Sequence, residues 1–274
     1  SGILDSDLYD GDIKNYRVNA SLHYRPNEDW EINYQFKHAH NDFSFRITTF
    51  YPFEDFGQTH HKLEAKTDNF TARVYTSQQS AKRTSIGFLT ADFIQSDLKS
   101  DADWIADYQS IIDGGGTPKA ARTFADDYLD ANGSILPSRL NDFNKAKESA
   151  LASPNVLDGG SKFIDNSGFV HGDLNYDFSD RFENLELQVG GNVRRYSVDS
   201  EGTFFNDNRA QGYTGNITYA QYGAFVQAST GLFDDKLKLT GSLRYDKNAN
   251  YEGNFTPRIS AVFSPDEDKH HNFR

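Results

Sequence analysis

The sequence predicts an all-β fold, an antiparallel up-and-down transmembrane β-barrel present in part, and three observations lead there. Stretches of about 10 to 15 residues alternate apolar and polar side chains, longer than an ordinary strand and enough for the 9 to 11 tilted residues that a bilayer requires. The connections between them alternate between tight and long. Aromatic residues gather near the ends of the stretches, at Tyr24, Trp30, Tyr176, Phe178, Phe182, Tyr222, Phe233, Tyr245 and Phe263, as in an interfacial girdle.

In chain order, Tyr16, Val18, Ala20, Leu22 and Tyr24 alternate with polar neighbours, turn at Pro26 to Asp29, and give way to Trp30, Ile32, Tyr34 and Phe36. That pattern is a hairpin. Further strands are expected over 58–67, 69–79, 166–178, 184–199, 215–230, 236–248 and 254–264. In KLKLTGSLRYDKN, residues 236–248, Leu237, Leu239, Gly241, Leu243 and Tyr245 share one face, opposite Lys238, Thr240, Ser242, Arg244 and Asp246. About nine strands result, and a tenth is expected to open at Asn272-Phe273-Arg274. Pro257 has no N–H for a ladder, so it is expected at the start of its strand or at a bulge, with regular pairing from Ile259 to Phe263.

Tight turns are expected at Pro26 to Asp29, Thr67 to Asn69, Phe178 to Asn184, Gly231 to Asp235 and Pro265 to Lys269, and long connections at 40–57, 80–165, 200–214 and 247–253. One rim is then short and the other elaborate, the asymmetry of outer-membrane barrels. Within 101–155, Asp113 to Pro118 breaks the chain, and apolar spacing of three to four residues over 120–129 and 140–151 predicts short helices in the long loop 80–165.

Composition narrows the class. The 274 residues are 36% hydrophobic yet 14% aromatic, which is too aromatic for a disordered acidic chain. A net charge of −12 with no basic stripe argues against a nucleic-acid partner. No apolar run reaches the length of a membrane helix, and the absence of cysteine removes disulfides and thiolate metal sites. Without Met, from Ser1 to Arg274, the chain reads as a fragment of something longer. The pattern alone leaves open a soluble β-sandwich or lipocalin-like barrel whose apolar faces pack on each other.

No catalytic constellation stands out, so no enzyme and no cofactor are expected. Lumen-facing Arg194, Arg244 and Arg258 offer guanidinium donors to a ligand or to neighbouring carboxylates. Phe204, Phe205 and Tyr213, in a long loop, offer aromatic faces for stacking. His38, His40, His60 and His61 flank the first long connection, where two strands could bring them together as imidazole metal ligands. Asp5, Asp7, Asp10 and Asp12 form an acidic segment with oxygen ligands for calcium, though not in EF-hand spacing. For both groups solvated side chains are the first reading and metal binding the alternative.

The carboxy-terminal third resembles a known family. Tyr222 to Ala228, then Leu237 to Asn248, then Phe255 to Ser260 are similar in order and spacing to the barrel of TonB-dependent outer-membrane receptors, and Gly190 to Tyr196 looks like an earlier strand of the same barrels. The resemblance is continuous over 166–274, fainter over 14–79 and loose over 101–155. It implies a barrel of 22 strands in the Gram-negative outer membrane, closed by a plug domain of the same polypeptide, importing a small nutrient or metal chelate with energy passed through the TonB complex. The expected partners are thus outer-membrane lipid, plug, TonB complex and a small-molecule ligand. The plug and the TonB-contacting segment are expected outside these residues; a passive porin-like barrel is the alternative.

Overall fold

The alternating stretches form strands. The computed structural model describes residues 2–9, 11–47, 49–209, 212–213 and 215–265. After a short helix α1 (Asp5–Leu8) come β1 (Lys14–Tyr24), β2 (Glu31–Arg46), β3 (Phe50–Lys66) and β4 (Phe70–Ser85). Helices α2 (Gly87–Leu98), α3 (Asp101–Asp113), α4 (Pro118–Ala125) and α5 (Leu140–Ala152) follow. Then come a two-residue β5 (Lys162–Phe163), β6 (Gly168–Asp177), β7 (Glu186–Val198), β8 (Ile217–Leu232), β9 (Leu237–Asn248) and β10 (Tyr251–Phe263). All pairings are antiparallel between neighbours in the chain, in the order β1-β2-β3-β4-β6-β7-β8-β9-β10, with β5 on the upper part of β4. The result is part of an up-and-down barrel wall.

Register sorts the side chains into two faces. Leu22 pairs with Tyr34, Tyr34 with Leu63, Leu63 with Val74, and Val74 with Gly172. The same face continues through Val193, Tyr222 and Lys247. Because a strand repeats every two residues, this row fixes the whole apolar face. Its large side chains are uncovered: Leu22 is 68% exposed, Leu174 53% and Ile259 89%. The opposite face is polar, with ion pairs between Arg73 and Asp173, Lys62 and Glu64, and Lys238 and Glu186. A soluble sandwich would bury the apolar face; here it is left open from β1 to β10.

Aromatic rings mark the ends of that face. At the short-turn end, Trp30 meets Phe70, Phe70 meets Tyr176 and Tyr176 meets Phe178, with centroids 4.4 to 6.4 Å apart. Toward the other end, Tyr245 packs on Phe255 at 4.8 Å.

Two expected long connections are instead strand. β2 runs on to Arg46 and β3 begins at Phe50, the two paired as a hairpin as far as Arg46 and Phe50, and β9 and β10 meet across Ala249 and Asn250. In each case a bulge interrupts the alternation from which strands are read. Pairing shifts between Asn41 and Phe43, opposite Asp55, which has φ of 56° and donates its N–H to Asp42 Oδ1 at 2.6 Å. Beyond the bulge, the stacked pairs Phe43–Phe53 and Phe45–Tyr51 hold the projecting hairpin together. The second shift lies between Tyr251 and Asn254.

Pro257 accordingly departs from expectation. Its strand starts at Tyr251, and Pro257 sits mid-strand opposite Leu243, in regular register and past the bulge. It is tolerated because β10 is paired on one side only within the described sheet. The strand expected at 272–274, and most of the turn at 265–269, lie outside the described residues.

The apolar core sits in the helices, not under the sheet. Ile94, Leu98, Tyr128, Phe143 and Ala146 cluster together and receive Ile3 and Leu8 from the segment preceding β1. α4 and α5 match the predicted spacing, whereas α2, within 80–100, was not foreseen. Its first residue, Gly87, passes so close to the β2–β3 hairpin that a Cβ would lie 2.6 Å from the Phe50 carbonyl oxygen. Ser100 caps α3 by accepting from the Asp103 N–H, and Thr117 caps α4 with Pro118 at its first position. None of the helices is long and apolar enough to cross a membrane, among the described residues.

Candidate functional site: the polar wall and its rim

The polar face carries the arginines singled out from the sequence, and it is densely hydrogen-bonded. Arg194, on β7, donates to Tyr75 Oη and Tyr196 Oη at 3.1 Å each and to His171 Nδ1 at 3.0 Å, with its guanidinium 4.9 Å from the Phe169 ring centre. Three strands are thereby stapled together, and most of its donors are engaged. Arg244 forms a fork on Asp246, at 2.7 and 2.6 Å, and reaches Asn192 Oδ1 at 2.7 Å. Arg258 stands opposite Ser242 on β10 and has no hydrogen bond or ion pair among the described residues. Of the three arginines singled out from the sequence, two serve the wall itself.

The histidines do not converge. His38, His40 and His61 lie on the apolar side, in the row of Tyr16 and Phe36, while His60 is on the polar side. His38 bonds Thr59 Oγ1 at 2.9 Å, His61 bonds Tyr34 Oη at 2.8 Å, and His40 stands 3.5 Å from Asp42 and 3.3 Å from Asp55. The strand period, which puts adjacent residues on opposite faces, rules out joint ligation by His60 and His61. The aspartates also part company: Asp5 pairs with Arg46, Asp7 accepts from the Leu4 N–H, and Asp12 pairs with Lys14. Asp10 lies outside the described residues. No group of three or more potential ligands is placed to hold a metal ion, among the described residues.

At the elaborate rim, residues 199–208 close on themselves. Asp207, buried, accepts from the backbone of Ser200 and Gly202 and from the Ser200 hydroxyl. Phe204 packs edge-on against Phe163 at 4.4 Å, and Phe205 lies 6.3 Å from Phe204. Both rings and Tyr213 stay about half exposed. Phe204 and Phe205 thus form one aromatic patch at the rim, and no ring contact joins Tyr213 to it among the described residues.

In the helical cap, burial and charge act on two groups, Lys99 and Tyr128. Lys99 is buried, which works against its charge, yet its bond to Asp107 at 2.5 Å and the charges of Asp127 and Asp107 hold its pKa above the usual lysine value. Burial, followed by the charges of Asp126 and Asp127, pushes the Tyr128 phenol well up.

The sequence reading missed a concavity of about 550 Å³ on the polar wall of β1–β4, lined by Arg17, Lys37 and His60 among others. Only cross-strand register unites these residues; no spacing along the chain reveals it.

Comparison with known proteins follows the same outline. Residues 67–273 match the family described as TonB dependent receptor-like, beta-barrel. Among solved structures, the FrpB iron transporter from Neisseria meningitidis (F5-1 variant) superposes with a TM-score of 0.51 at 14% identity, covering 93% of this chain and 35% of that one. A mutant of the ferric enterobactin receptor PfeA from Pseudomonas aeruginosa gives 0.50 at 9% identity, covering 93% and 31%. The chain thus spans about a third of the length of these proteins, and at such identities the likeness is one of fold. No curated protein matches.

Proposed function

Because the chain belongs to the TonB-dependent receptor β-barrel family, whose members lie in the Gram-negative outer membrane, we propose that it forms part of the wall of a receptor that imports a small nutrient or metal chelate. Lipid covers the apolar face, solute passes along the polar face, and the helical segment within 80–165 forms an extracellular cap. A plug in the same polypeptide and the TonB complex complete the transporter. The observation that carries this reading is the segregation of faces: large apolar side chains exposed across nine long strands on one side, and hydrogen-bonded charged groups on the other. Uptake tests it. Cells supplied with ferric chelates or other scarce nutrients should accumulate one of them only when both this polypeptide and TonB are present. Uptake that survives loss of TonB would identify a passive pore instead.

A further inference from the structure

The concavity on β1–β4 differs in charge from the rest of the polar wall. Arg17 and Asn19 of β1, Lys37 of β2, Gln58 and His60 of β3 and Ser77 of β4 line it, and no carboxylate does among the described residues. Register places Asn19 opposite Lys37, Lys37 opposite His60 and His60 opposite Ser77. Elsewhere on this face Lys62 is matched by Glu64, Lys66 by Glu31, Arg73 by Asp173, Lys238 by Glu186 and Arg244 by Asp246, and Arg194 is held by Tyr75, Tyr196 and His171. Arg17 and Lys37 have no hydrogen bond or ion pair among the described residues. Arg258 shares that condition, but its cross-strand partner is Ser242, not a second cation.

Arg17, opposite Ala39, and Lys37, opposite Asn19, are diagonal neighbours on adjacent strands, and two like charges so placed offer the sheet no cross-strand attraction. In a protein with 40 Asp and Glu against 28 Lys and Arg, a cationic cluster without a carboxylate is also not forced by composition. An arriving oxyanion would supply that attraction, and a guanidinium fork beside an ammonium suits two oxygens on one centre.

We propose that Arg17, Lys37 and His60 form a seat for an oxyanion, a carboxylate or a phosphate, on the lumen wall. The proposal rests on the transport reading only in taking the polar face as a water-filled lumen. The oxyanion comes either from a solute in transit or from an Asp or Glu of a segment of the same polypeptide inside the barrel. One set of measurements on the purified full-length polypeptide separates these sources. Citrate and inorganic phosphate are titrated calorimetrically at low salt, and Lys37 is assayed for carbodiimide coupling to a carboxylate, which forms an amide and releases water to the carbodiimide as a urea.

If the seat takes a solute, citrate or phosphate binds, the Arg17→Gln/Lys37→Gln pair weakens binding about tenfold or more, and Arg17→Lys/Lys37→Arg restores it. If it takes an internal carboxylate, mass spectrometry finds Lys37 in an amide within the polypeptide. The Arg195→Gln control, on the apolar side, changes neither result. The heat-dependent gel mobility of folded barrels verifies that each variant is folded. Absence of both the cross-link and any difference in anion binding between the wild type and the double Gln variant overturns the proposal. TonB-dependent uptake persisting beside that result would leave the transport reading standing.

Discussion

A charge placed at Leu243 should separate lipid from solvent as the neighbour of the apolar face. Leu243 stands six residues along β9 from Leu237, which borders the short turn. At roughly 3.4 Å per residue and a tilt of about 40°, it lies roughly 15 Å into an apolar band about 25 Å tall, close to the midplane. Leu243→Arg should therefore destabilise the folded barrel by about 2–4 kcal/mol, and Leu237→Arg, at the boundary, by about 0–1 kcal/mol. Ser242→Arg faces the polar side, where long cations already stand, and should cost less than about 1 kcal/mol. A difference of about 3 kcal/mol is roughly two orders of magnitude in the folding equilibrium. The assay is denaturant titration of the full-length protein folded into phospholipid vesicles, with folding read from heat-dependent gel mobility. Equal costs at positions 242 and 243, or a higher cost at 242, would refute the assignment of faces.

Protease added to intact cells should cut the cap near Asp113 to Pro118 and spare Pro26 to Asp29; cutting at the short turn would reverse the orientation. In the cap, the Tyr128 hydroxyl is buried without a hydrogen-bond partner among the described residues, so Tyr128→Phe should leave thermal stability nearly unchanged, while Tyr128→Ala should cost about 3–5 kcal/mol through the cavity. The raised phenol pKa means that the folded cap holds its proton more tightly than the unfolded chain. Its contribution is therefore complete below the ordinary value of 10.0 and is lost as pH climbs above it. The fluorescence of Trp104, taken as the difference from a Trp104→Phe blank, should report alkaline loosening of the cap that Tyr128→Phe delays to higher pH. Identical profiles would show that Tyr128 does not set the transition.

What was legible in the sequence is what a strict period of two can carry. The pairs Tyr24–Ile32 and Phe263–Leu237 fall where alternation places them, and so do the four tight turns within the described residues. Bulges defeat that reading, because one extra residue at Asp55 or beyond Tyr251 inverts the parity and disguises strand as loop. Pro257 misled for a related reason: proline forbids a central ladder, but says nothing of an edge. α2 was hidden because its packing partners, Ile3, Leu8 and Phe143, are distant in sequence. Candidate residues fared according to how local their chemistry is. Arg194 and Arg244 were found on the correct face, while their partners Tyr75, His171 and Asn192 come from other strands and emerge only from register. The same limit concealed the neighbourhood of Arg17, Lys37 and His60, and made His38, His40, His60 and His61 look like one cluster when the pleat divides them.

The central claim, that acyl chains cover one face and water the other, is tested most directly by single cysteines placed within these 274 residues, which contain none, in a full-length background from which any other cysteine is removed. Leu174→Cys, Val226→Cys and Leu239→Cys should react in vesicles with a bilayer-confined maleimide and resist a charged, water-soluble one. Asn175→Cys, Gln227→Cys and Thr240→Cys should show the reverse. Labelling of both sets by the aqueous reagent alone would contradict the account, since the apolar face would then belong to a soluble sheet.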